Sequence, residues 1–162
     1  MLRLALPLLR ARLTQGEPVI CRTTHHVRLP HLSTDWRMNQ AVYAEISGQE
    51  RLRWVVQSGA SRRWRSAGIH HRVARQTITY HHALRPLQRY TVDTRAVAME
   101  GPRLWLEQHF LVGDRVHAVN AVVLSFADDD GVLSAAAAAA ACASVVSDPL
   151  EVVDWQVSGS KI

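Results

Sequence analysis

After Gly68 the chain changes period, and this limits its fold more than any other feature. In IHHRVARQTITYHHAL, Val73, Arg75, Thr77 and Thr79 fall on one side, while Arg72, Ala74, Gln76, Ile78 and Tyr80 fall on the other. That two-residue alternation is the mark of a strand. Three more strand-like runs follow, QRYTVDTRAVAM, RLWLEQHFLV and RVHAVNAVVLSFA. They are closed by Glu100-Gly101-Pro102, by Gly113-Asp114 and by the run Asp128, Asp129, Asp130, Gly131. Similar lengths and short, turn-rich connections predict a sequential antiparallel meander.

Ahead of the meander, VICRTTHHVRL (19–29) is rich in β-branched residues and reads as a first strand, stopped by Pro30. A polar turn of Ser33, Thr34 and Asp35 comes next. Asp35 or Asn39 is then placed to cap a helix over about Gln40 to Ser58. Ala41, Val42, Tyr43, Ile46, Leu52, Val55 and Val56 give that segment a buried stripe. Gly59 is suited to the left-handed position after it. Gly48 lies inside the helix at a cost of roughly 1 kcal/mol against alanine, which suggests close approach by a strand or a ligand. ASRRWRS (60–66) reads as a basic loop. Ser134 is placed to cap an alanine-rich helix near the C-terminus. Strand, long helix, four strands and a helical tail amount to an α+β domain whose helix lies across the sheet.

The 162 residues suit one domain, and 48% hydrophobic with 20% charged content is ordinary for a globular chain. The net charge of +5 is nearly all arginine, since Lys161 is the only lysine. Arginine forks bind phosphate and carboxylate, so an anionic ligand fits, although genomic base composition explains the same bias. Cys21 and Cys142 form no CxxC pair, which argues against zinc and against a disulfide scaffold and points to a reducing, cytoplasmic setting. Residues 1–18, MLRLALPLLRARLTQGEP, are too short and too charged to span a bilayer. They read as an amphipathic lead-in that touches the body or a membrane surface, or as a frayed end.

Several motifs, taken in order, resemble the hotdog-fold acyl-CoA thioesterases, the superfamily that includes 4-hydroxybenzoyl-CoA thioesterase. Arg37-Met38-Asn39-Gln40-Ala41-Val42-Tyr43 looks like the family's H-M-N-N-A-x-Y at the strand-to-helix junction. Arg51 falls where such members often carry a helix arginine. Gly68 to Leu84 is similar to their second strand, LWLEQHF to their aromatic strand ending in E-x-x-F, and the AD-D-D-G-V turn to their closing hairpin. The resemblance spans roughly 19–147, with 148–162 left as a C-terminal tail. It implies a hotdog fold: a curved antiparallel sheet wrapped around one long central helix, here with an Ala-rich C-terminal helix. It also implies a homodimer or dimer of dimers with sites at the interface, acting on acyl-CoA or acyl-carrier thioesters without a cofactor. A non-catalytic hotdog protein that binds an acyl thioester or a protein partner is the alternative.

Thioester hydrolysis needs an attacking group and donors for the oxyanion. Asp35 is the only carboxylate in the turn before the helix, so it is the candidate base or nucleophile; a turn or capping aspartate is its plainer role. Asn39 is the second catalytic candidate, able to orient water or the thioester carbonyl; capping is its alternative. Arg37, Gln40 and Tyr43 are the substrate-binding candidates, Tyr43 doubling as a core residue. The sequence departs from the family pattern here. Without a gap, the family's two aspartates fall on His31 and Ser33, and its histidine on Arg37. His31 is therefore a substitute base to consider at neutral pH. The acidic helix residue that many relatives carry has Glu45 and Glu50 as its neighbours here.

The pairs His25/His26, His70/His71 and His81/His82 point to opposite strand faces and do not chelate one ion, so no metal is expected. Arg51, Arg53, Arg62, Arg63 and Arg65 with Trp54 and Trp64 have the charge and aromatics to stack nucleic acid or to hold CoA phosphates. A solvated basic loop is preferred, and no nucleic acid is expected.

Overall fold

Two ends define the long helix. Asn39 sits in extended backbone, and its side-chain oxygen accepts from the Ala41 amide at 2.9 Å. Helix α1 then runs Gln40–Gln57, and Gly59 takes the left-handed conformation after it, at φ 73°. Asn39, not Asp35, is the cap. In this computed structural model residues 20–143 and Val145 are described. The expected lead-in 1–18 and tail 148–162 lie outside the described residues.

Among the described residues six strands form one antiparallel sheet: β1 Ile20–His26, β2 His70–Tyr80, β3 Arg89–Glu100, β4 Arg103–Val112, β5 Arg115–Asp128 and β6 Gly131–Val132. Their order is β1-β3-β4-β5-β2, with β6 paired to β5. The expected meander therefore holds for β3, β4 and β5 but fails for β2. Instead of joining β3, β2 pairs with β5 at the far edge. The link 81–88 carries the chain back across the end of the sheet, anchored by the buried Leu84, whose carbonyl accepts from Met38 N at 2.9 Å. Periodicity fixes that a strand forms, not which strand it sits beside.

A bulge at Ala74 also changes which side chains of β2 share a face. The register moves from Val73↔Leu124 to Arg75↔Val123. Val73 therefore faces inward with Leu124, while Arg75, Thr77 and Thr79 face outward. The expected grouping of Val73 with those three is corrected by one extra residue.

Residues Ala60–Ser66 are not a loop but a second helix, α2. Ala60 and Trp64 are four apart on its inner side, and Trp64 is only 2% exposed. The Trp64 indole donates to the Ala141 carbonyl at 3.0 Å and its ring stands 5.0 Å from Phe126. Ala141 belongs to the alanine-rich helix α3, Ala135–Cys142, which Ser134 caps by accepting from Ala137 N. Trp54 is equally buried, so neither tryptophan offers a stacking surface. The aromatic half of the nucleic-acid reading is thereby lost.

The core under α1 has two apolar halves. Trp54, Val55, Leu104, Leu106, Leu124 and Phe126 lie in one; Met38, Tyr43, Ile46, Tyr90 and Phe110 lie in the other. Between them runs a buried polar row in register, Thr94↔Gln108↔Asn120. The Gln108 amide donates to Thr94 Oγ1 at 3.1 Å and to the Ser47 carbonyl at 3.0 Å, and accepts from Asn120 Nδ2 at 2.7 Å. These bonds tie the middle of the helix to the middle of the sheet. Buried hydrogen bonds of this kind fix alignment more than they add stability. Gly48 is not needed for close approach within the chain: a Cβ there would meet only Arg51 Nη2, at 3.8 Å. Among the described residues no helix is long and apolar enough to cross a membrane.

Candidate active site

The loop before α1 is a tight hairpin. Leu32 bridges Met38, Ser33 N donates to the Arg37 carbonyl at 2.8 Å, and Trp36 takes a left-handed φ of 56° with 68% of its surface exposed. Holding a tryptophan there costs on the order of 1 kcal/mol. The turn brings Asp35 back over the helix start. The Ser33 hydroxyl donates to Asp35 Oδ1, and Arg37 Nε lies 3.6 Å from Asp35 Oδ2. The Ser33 hydrogen bond foremost, with Arg37 adding to it, holds the Asp35 carboxyl below the usual carboxylate range.

Facing this hairpin is the start of the crossover. Tyr80, His81, His82 and Ala83 leave the end of β2 and pass in front of α1. Together the two segments enclose a cavity of about 480 Å³ lined by Ser33, Asp35, Arg37, Asn39, Gln40, Tyr43, Tyr80, His81 and His82, with Met38 and Ala83. All five residues singled out from the sequence, Asp35, Arg37, Asn39, Gln40 and Tyr43, thus line one cavity. His31 does not line it. His31 Nδ1 accepts from Arg28 N at 3.2 Å and its carbonyl accepts from Asn39 N, so it serves the turn.

Each lining group has a definite chemical capacity. Asn39 spends its side-chain oxygen on the Ala41 amide, which leaves its amide NH₂ to donate to a ligand. The first turn of α1 carries no acidic residue, so the positive end of its dipole is uncompensated from within the helix. Tyr43 is core and wall at once: it is 2% exposed, lies edge-on to Tyr80 with centroids 5.1 Å apart, and its hydroxyl accepts from Leu84 N at 3.2 Å. Burial foremost pushes its phenol above the usual range, so it stays protonated.

The two helix carboxylates lie elsewhere. Glu45 accepts from Gln49, and Glu50 is buried near His25 (3.0 Å) and Arg53 (3.2 Å). Neither lines the cavity.

Sequence reasoning missed His81 and His82 as site residues. The sequence offers them only as a candidate metal pair. The signal that finds them is tertiary: β2 sits at the β5 edge, so its C-terminal end must cross in front of the helix. Among the described residues no group of three or more His, Cys, Asp or Glu side chains is placed to hold a metal.

A family model described as the thioesterase-like superfamily matches residues 32–147. Among solved structures, the probable thioesterase YbaW of Escherichia coli is similar at 18% identity and a TM-score of 0.71, over 77% of this chain and 98% of that one. A hypothetical protein of Staphylococcus aureus, solved in complex with CoA, is similar at 17% identity and a TM-score of 0.65, over 91% and 96%. A DHNA-CoA thioesterase of Staphylococcus aureus shows 13% identity and a TM-score of 0.59, over 72% and 80%. No curated protein matches the sequence. At these identities the solved structures establish the fold, a hotdog.

Proposed function

The chain belongs to the thioesterase-like superfamily, and from that premise we propose that it hydrolyses acyl-CoA or acyl-carrier thioesters in the cavity at the start of α1. One observation carries the reading: a helix start without acidic neighbours of its own opens onto the same cavity as a carboxylate and two imidazoles. A thioester carbonyl seated there would meet the Asn39 amide and the first amides of α1 as its charge developed. Arg37 and Gln40 would hold polar parts of the substrate, and Tyr43 would wall its acyl part.

Asp35 is assigned the attack. A carboxylate kept ionised by Ser33 and Arg37 is a weak proton acceptor at neutral pH, but it needs no deprotonation to act as a nucleophile. Its oxygen bonds to the acyl carbon, the carbon–sulfur bond breaks, and the thiolate leaves to take a proton from solvent. Water then cleaves the mixed anhydride, releases the acid and restores Asp35.

A homodimer is part of the same reading. Strand β2 is an edge of 11 residues, ten of them exposed, with Val73 40% and Tyr80 41% exposed. A long unprotected edge invites a second strand. Both cysteines are free and buried, in keeping with a reducing cytoplasm. The same ties on Asp35 favour the second reading, a hotdog protein that binds a thioester without cleaving it.

A panel of acyl-CoA esters from short to long, with release of free thiol as the readout, tests the proposal. Turnover on at least one ester is expected. Retained CoA-ester binding with no turnover at any chain length would leave the binding protein as the correct reading.

A further inference from the structure

Hydrolysis of the anhydride needs a proton acceptor that works near neutral pH, and Asp35, held ionised, is poorly suited to it. The cavity holds two other bases, His81 and His82. Of the two, His82 is the one whose ring meets another imidazole. Between Phe110↔Ala118 and Leu111↔Val116 the β4–β5 register slips, so His117 is the extra residue of a bulge on β5. Bulges re-aim groups out of a ladder, and this one does so twice. The His117 carbonyl accepts from both His81 N, at 2.9 Å, and His82 N, at 3.0 Å. Its ring, only 7% exposed, meets the His82 ring edge-on with centroids 5.5 Å apart. His117 Nδ1 is buried, and the backbone of His82 and Ala83 lies close enough to the ring to favour its charged form, though not enough to offset burial.

We propose that His82 is the general base for the hydrolytic water in this cavity, and that His117 is the residue positioning its ring. The inference rests on the thioesterase reading given above. In the second half-reaction the water oxygen bonds to the acyl carbon and the bond from that carbon to the Asp35 oxygen breaks. Asp35 leaves as its carboxylate, and the water proton passes to a ring nitrogen of His82, which returns it to solvent. Burial foremost, with His82 opposite, keeps the His117 ring below the usual imidazole range, so it stays neutral and does not compete for that proton. The charged and titratable groups that share the cavity with His82 or touch its ring are Asp35 and Arg37 from the hairpin, Tyr43 from α1, Tyr80 from β2, His81 beside it and His117 from β5, which itself feels Arg115.

The test uses the full chain and its best acyl-CoA substrate, with thiol release followed before and after the first turnover. His82 is exposed, so His82→Gln and His82→Asn are expected to fold, which melting curves check. In both, kcat should fall by about 100-fold, the usual size of a lost general base, and KM should fall with it, so that kcat/KM, set by the intact first half-reaction, stays near the wild-type value. Thiol should appear as a burst of one per site, because the first half-reaction is intact. The acidic limb of the wild-type kcat profile should vanish. His117→Gln should move that limb along the pH axis without abolishing it. Wild-type-like kcat in His82→Gln, or an unchanged acidic limb, overturns the role of His82 and leaves the thioesterase reading standing. An unmoved limb in His117→Gln overturns the role of His117. A wild-type protein that turns over no ester overturns both proposals together.

Discussion

The amide of Leu84 donates to the Tyr43 hydroxyl at 3.2 Å, and the carbonyl of the same residue accepts from Met38 N at 2.9 Å. Leu84 is therefore held from two sides, by the first turns of α1 and by the loop before it. Since Leu84 follows directly on His81, His82 and Ala83, these two bonds set the distance between the crossover and the helix start. With the bonds from His81 N and His82 N to the His117 carbonyl, they hold the crossover in front of the helix start.

Removing the phenol tests this. Tyr43→Phe leaves the Leu84 amide buried without a partner, at a cost of about 1–3 kcal/mol. Urea unfolding should show that loss. The expected companion is a lower kcat, because the crossover carrying His82 is no longer fixed against α1.

Asp35→Asn keeps the shape of the turn and removes the attacking oxygen's charge. Turnover should drop by at least about 100-fold, on the scale of losing a nucleophile or base. Asp35 is exposed and anchors no core contact, so stability should move by less than about 0.5 kcal/mol. Undiminished turnover would take Asp35 out of the mechanism.

Gly48→Ala should stabilise the protein by roughly 0.5–1 kcal/mol, because a Cβ meets only Arg51 Nη2 at an ordinary contact distance. The melting temperature of the isolated variant measures it. A fall in stability would mean that something outside this chain, a second copy or a substrate, comes close to the helix there.

Val73→Lys places an inward-pointing cation on the β2 edge, on the face opposite Arg72 and Arg75. Charge on an edge strand opposes pairing with another edge. Sedimentation equilibrium should show wild-type dimers and a variant shifted toward monomer. A wild-type protein that stays monomeric at micromolar concentration would remove the dimer from the proposal.

Stability should fall in two steps on acidification. Burial foremost holds His117 below the usual imidazole value of 6.5. For Glu107, burial alone would raise the carboxyl, but His109 and Arg95 outweigh it and hold the group below 4.5. In both cases the unfolded chain takes up its proton at a higher pH than the folded chain does. Each contribution is complete above the ordinary value, fades below it, and is gone once the pH drops beneath the folded value. Urea midpoints should decline below pH 6.5 and again below pH 4.5, and His117→Gln should flatten the first decline.

Local chemistry made much of this fold readable in advance. Asn39 and Gly59 mark the helix ends because capping and left-handed backbone are properties of single residues. The alternation of β3, β4 and β5 is readable because a half-buried strand repeats every two residues. ASRRWRS reads as a loop because three arginines among seven residues outweigh one tryptophan in composition, whereas burial of Trp64 against Phe126 and Ala141 makes it a helix. The bulges at Ala74 and His117 leave no local mark; each is one extra residue that only a partner strand exposes.

The sequence by itself determined the long helix, the strands, the turn before the helix and the five residues that line the cavity from that side. Only the tertiary structure decided the other wall. Strand β2 pairs with β5 rather than β3, so the chain must cross in front of α1, and that crossing brings His81 and His82 opposite Asp35. Strand pairing is a contest among distant backbone edges, settled by register, by the buried row Thr94–Gln108–Asn120 and by the anchoring of Leu84. None of these is a property of a neighbourhood along the chain.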